Sequence, residues 1–233
     1  MNRYAAGVVD NPIINSTLTQ IINLYQFIQN PTSKVGFFLN KERLLALHKR
    51  YALVIKESKA LYPTLKLNSD NGPINVTLAL TNHQLNIAKM IKIIHGDSTF
   101  VGFGTVAQKC EQIYLELNKR TQRTASLADT YPNLTRLLET SSGIYDNISI
   151  NKMFSDPSLT NLKMNCLKAK KAIEITSPRI TVAGVNLAQF FLEASKVMDR
   201  LNVVINGHDR KYQGVFYTSF DAMEMLEDLK TKI

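Results

Sequence analysis

The chain has no tryptophan, two cysteines, seven prolines and ten glycines in 233 residues. Sparse glycine and proline argue against a turn-rich β-sandwich and favour helices. Cys110 and Cys166 are too few for a disulfide framework and have no CxxC spacing, so buried, reduced thiols are expected. No stretch approaches the roughly 20 apolar residues of a membrane span. The opening MNRYAAGVVDNPII has no basic n-region followed by an apolar h-region, so no secretory signal is expected. A cytoplasmic protein follows as the expectation, or a virion protein if it is a capsid component. The sequons at Asn15, Asn75, Asn133 and Asn147 are then ascribed to a composition rich in Asn and Thr.

Catalytic signatures are missing as well. His48, His83, His95 and His208 have no second histidine or carboxylate at metal-helix spacing, and neither HExxH nor a cysteine–histidine zinc pattern occurs. Gly102-Phe103-Gly104 is a GxG without a third glycine or a preceding hydrophobic strand, which is not a dinucleotide fingerprint. GxxxxGK[ST] and GxSxG are absent. Asp221, Glu224, Glu227 and Asp228 read as the solvated face of a terminal helix. No enzyme, cofactor or metal is expected. An enzyme whose groups assemble from distant residues is one alternative.

What is present is helical period. At 45% hydrophobic residues the chain can bury a core as one large domain or two small packed ones. From Pro12, apolar residues recur at Ile14, Leu18, Ile21, Ile22, Tyr25 and Ile28, and Asn30-Pro31 ends the run. Asn40 is placed to cap a second helix with its stripe at Leu44, Leu47, Tyr51, Val54, Ser58 and Leu61. NSDNGP (68–73) is the strongest turn cluster and a candidate subdomain boundary. A helix follows through NHQLNIAKMIKIIH to Gly96, then one with the stripe Val106, Cys110, Ile113 and Leu117. A short helix is expected after Tyr131-Pro132 and another from Asp156-Pro157 to Pro178. ITVAGV reads as a strand or a linker, Asn186 caps a further helix, and Ser219 caps the last. The expected class is all-α: a compact domain of about eight helices at 12–205. A flexible arm at 1–11 and a hinged segment with an acidic amphipathic helix at 206–233 flank it.

The charge is concentrated. The formal net charge is +9. Residues 34–66 hold eight Lys/Arg against two Glu, and residues 160–179 hold five against one. These two windows account for essentially the whole surplus, as a local footprint for phosphate requires. Lys49, Arg50 and Lys56 are the candidate contacts in the first window, and Lys168, Lys170, Lys171 and Arg179 in the second. Lys119 and Arg120 join them, although helix C-termini attract cations in any case. No pair of helices reads as a helix-turn-helix, and there is no RRM aromatic signature, which leaves sequence-independent contact with phosphates. The segment from Ser219 carries four acids against two lysines and an apolar side with Phe220, Met223 and Leu226, suited to docking on a basic neighbour.

A basic helical body with exchangeable ends resembles the architecture of viral nucleoproteins and helical coat proteins, although no motif carries the likeness. The expected function is a homo-oligomer that binds single-stranded RNA through its phosphates, of nucleocapsid or coat-protein type. The competing reading is a helical scaffold or effector that binds an acidic protein or a membrane surface.

Overall fold

Each of the first helices starts where an asparagine side chain takes up orphan backbone N–H groups. The computed structural model describes residues 11–32, 39–61, 64, 66–69, 72–121 and 156–206. Helix α1 (Pro12–Gln29) opens with Asn11 Oδ1 accepting from the backbone N–H of Ile13 and Ile14, and proline stands at its first position. In α2 (Lys41–Leu61), Asn40 Oδ1 accepts from Glu42 and Arg43 N–H, while its amide donates to Gln29 O at 3.0 Å. One buried asparagine thus ties the end of α1 to the start of α2.

The turn cluster at 68–73 falls on a hairpin, in which β1 (Lys66–Ser69) pairs antiparallel with β2 (Gly72–Asn75). Helix α3 (Val76–His95) begins six residues earlier than its apolar period suggests, because Asn75 caps it through Leu78 N–H at 2.9 Å. Helix α4 (Phe103–Thr121) takes in Phe103 and Gly104 of the GxG. Helix α5 (Asp156–Thr176) is followed by a minimal hairpin, β3 (Thr181–Val182) and β4 (Val185–Asn186), and then α6 (Leu187–Asn206), capped by Asn186. The fold is all-α. Six helices stand among the described residues, and the two others expected, near 132–144 and from Ser219, lie outside them, as do residues 1–10 and 207–233 of the terminal segments.

Two antiparallel helix pairs, α2 with α3 and α5 with α6, frame the molecule, and α1 packs between α4 and α5. The pairs are pinned by polar contacts at matched heights. Ser58 and Thr77 share a 2.8 Å hydroxyl bond between α2 and α3, and Lys163 meets Asp199 at 2.6 Å between α5 and α6. The stripes read from the sequence are the buried ones: Ile14, Leu18 and Ile21 on α1, Leu44 and Tyr51 on α2, Val106, Cys110, Ile113 and Leu117 on α4. Each such aliphatic side chain contributes about 1.5–3 kcal/mol by leaving water, so truncating one to alanine costs about 2–5 kcal/mol.

A polar node closes the C-terminal end of α3. His95 Nε2–H donates to Leu39 O at 2.7 Å, while Nδ1 accepts from Gln29 Nε2 at 3.0 Å and from the Tyr25 hydroxyl at 3.2 Å. The ring is therefore the neutral tautomer. Burial pushes its pKa down to about 4; the bond to Leu39 opposes the shift and the Lys41 charge adds to it. Gly96, at φ 71°, ends the helix beside it. Gly104 lets α4 press against the node: a Cβ there would stand 2.5 Å from the Tyr25 hydroxyl oxygen and 2.7 Å from His95 O. The GxG of the sequence is thus a packing device between α1, α3 and α4.

Candidate polyanion-binding surface

Helix α5 sorts its lysines by direction. Leu159, Leu162, Cys166, Ala169 and Ile173 form the buried line, as their spacing predicts. Lys163, on one edge of that line, is spent on Asp199 of α6. Lys170 pairs with Glu174 one turn along at 2.7 Å. Lys168 and Lys171 stand on the outermost ridge, with no carboxylate in ion-pair range among the described residues. Met164 and Ile175 share that ridge, the latter 74% exposed. These two apolar members went unnoticed in the sequence. Their signal was legible: both fall three or four residues from an exposed lysine and off the buried stripe.

The end of α4 reaches the same region. Arg120 Nη2 donates to Thr181 O at 3.0 Å and pairs with Glu116, so it lies against the hairpin that leaves α5. Arg179 is exposed in the turn just before β3, where Ile180 N–H bonds Ser177 O. Lys119 is exposed one residue before Arg120. Arg120 therefore meets the hairpin that Arg179 precedes, with Lys119 next to it in the chain, and Lys168, Lys170 and Lys171 lie along the helix that leads into the hairpin. Glu116 and Glu174 neutralise Arg120 and Lys170, which leaves Lys119, Lys168, Lys171 and Arg179 as the solvent-facing cations of this end among the described residues.

The hairpin itself is gripped by α4. Lys109 Nζ donates to Ala183 O at 2.6 Å, and the Ala183 N–H donates to the Glu116 carboxylate. Ala183 and Gly184 both have positive φ, 49° and 75°, as a type I′ turn requires. Lys109 and Glu116 are seven residues apart, on one face of α4, and hold the turn by its backbone.

Lys49, Arg50 and Lys56 are exposed on α2, which packs against α3; α5 packs instead on α6 and α1. The two basic windows thus belong to different helix pairs. Phe220, Met223 and Leu226 lie outside the described residues. Elsewhere the groups with chemistry serve structure. Both cysteines are buried and free, and burial holds their thiols up, Cys110 well above the usual range and Cys166 at about 12. Asp97 accepts from Thr99 and Phe100 in a tight turn, and the Thr99 bonds hold its carboxyl low. Two of the sequons are structural positions, Asn15 within α1 and Asn75 as the cap of α3. Among the described residues no three His, Cys, Asp or Glu are grouped to hold a metal ion, and no helix is long and apolar enough to cross a membrane. A half-open pocket of about 340 Å³ between α4 and α6 is lined by Val106, Lys109, Gln112, Phe190 and Glu193 among others. No protein-family model, curated protein or solved structure matches the chain. The functional reading therefore stands on the surface itself.

Proposed function

We propose that this protein binds single-stranded RNA independently of sequence and oligomerises, as a nucleocapsid or helical coat protein does. The observation that carries the reading is the ridge on α5, where Lys168 and Lys171 stand together between exposed Met164 and Ile175, with Arg179 just past the end of the helix. Lysines without carboxylate partners suit phosphates. The methionine and isoleucine at the two ends of the ridge offer apolar contact to unpaired bases, which a duplex keeps stacked inside. Lys49, Arg50 and Lys56 on α2 belong to a different helix pair and are left out of this contact, and Phe220, Met223 and Leu226 join copies through the C-terminal segment.

Counterion release gives the test. Four phosphates neutralised by Lys119, Lys168, Lys171 and Arg179 correspond to a slope of about −3 in log affinity against log salt for a single strand. Fluorescence anisotropy on unrelated single-stranded RNAs of equal length should give that slope or steeper, with little dependence on sequence. Lys168→Glu with Lys171→Glu should flatten it by more than one. Salt-insensitive binding, or none to a long single strand at low salt, overturns the proposal. The second reading, an effector on an anionic membrane or acidic protein, draws on the exposure of Leu53 and Ile175. Co-sedimentation with phosphatidylserine vesicles, without affinity for RNA, would favour it.

A further inference from the structure

Helix α2 turns a mixed ridge to solvent. Leu45, Lys49, Leu53 and Lys56 follow one another at steps of three or four residues, so they line one side of the helix. Leu53 is 62% exposed in mid-helix, although its neighbours Tyr51 and Ile55 are buried on the opposite face. Ala46, Ala52 and Ala60 are exposed alongside and leave shallow room around the leucines. Among the described residues neither Lys49 nor Lys56 has a carboxylate in ion-pair range. A leucine pair flanked by unneutralised lysines matches a partner that is apolar and acidic on the same side.

The chain carries such a segment. Residues 219–233 have Phe220, Met223, Leu226 and Leu229 at helical spacing, with Asp221, Glu224, Glu227 and Asp228 between them. Twelve residues, 207–218, separate it from the end of α6. Extended, they span at most about 40 Å, enough to leave one body and reach the next. Copies aligned on one polyanion would raise the local concentration of the segment to the range that a tether supplies.

We propose that the outer ridge of α2 is the acceptor for the acidic C-terminal segment of a second copy. Leu45 and Leu53 meet its apolar side, and Lys49 and Lys56 meet its carboxylates. The inference rests on the oligomer reading above and names the surface that receives the segment. It also separates two tasks within the basic surplus, with α5 and the end of α4 facing phosphate and α2 facing protein.

The test uses full-length, nuclease-treated protein, mixed as isotopically light and heavy copies and treated with a zero-length carbodiimide cross-linker. Mass spectrometry should find Lys49 or Lys56 joined to Asp221, Glu224, Glu227 or Asp228 across a light–heavy pair. Lys49→Glu with Lys56→Glu should abolish the links and reduce the particle size seen by light scattering. Adding Glu224→Lys with Glu227→Lys should restore the size, with unchanged circular dichroism throughout. Links confined to one copy, links only at other lysines, or no links at all overturn the proposal. Intact links with no affinity for RNA would overturn the RNA reading alone. Salt-dependent RNA binding without these links would overturn this inference alone.

Discussion

Acidification tests the histidine node most sharply. His95 is 5% exposed, and its Nδ1 serves as an acceptor for Gln29 and Tyr25. Protonation would turn that acceptor into a donor facing two donors, in a site with little water. Its folded pKa of about 4 lies below the ordinary 6.5. Above pH 6.5 the ring is neutral in both states, and its titration does not affect stability. Between 6.5 and 4 the unfolded chain binds the proton while the native protein does not, so stability falls as the pH falls. The slope is about 1.4 kcal/mol per pH unit, for a total of about 3 kcal/mol, and it levels off below pH 4. Against a typical stability of about 5–15 kcal/mol that is a large fraction. Urea unfolding from pH 7.5 to 4 should show this loss in the wild type and not in His95→Gln; their difference removes the carboxylates common to both. Parallel pH profiles would refute the reasoning, as would a folded-state His95 imidazole resonance that titrates near 6.5.

Three further outcomes follow from packing. Gly104→Ala should cost about 1–3 kcal/mol in urea denaturation, because its Cβ would collide with the Tyr25 hydroxyl and His95 O. Ala183→Asn should raise stability by about 0.5–1 kcal/mol, read as a small rise in Tm, because asparagine tolerates the left-handed backbone that alanine adopts there. Cys110 and Cys166 should resist a thiol reagent such as DTNB at pH 8 in the native protein and both react in denaturant, since each is buried with its thiol pKa raised.

Period and caps made most of the helices legible. The buried lines of α1, α2, α4 and α5 follow the predicted stripes, and Asn40 and Asn186 cap the helices predicted for them. The start of α3 was hidden because Val76 and Thr77 are β-branched and follow a turn cluster, while the signal that decides it is the single side-chain bond from Asn75. The histidine node was illegible for another reason. Its partners lie 56 to 70 residues away in the chain, and no local pattern announces them. The lysines were only half legible. Composition placed the surplus in two windows, but which cations are spent on neighbours depends on Asp199, Glu116 and Glu174, and only packing brings Asp199 to Lys163.

The grip of α4 on the β3–β4 turn has a practical side. Lys109, Glu116 and Arg120 hold carbonyls and an N–H, groups that every non-proline residue carries, so the attachment is blind to the identity of the side chains it secures. Gly184, at the tip, faces open space, with nothing within 4 Å of a Cβ built there. A short tag or dye-bearing insertion beside Gly184 would therefore report from the basic end of the molecule while the anchoring bonds stay in place.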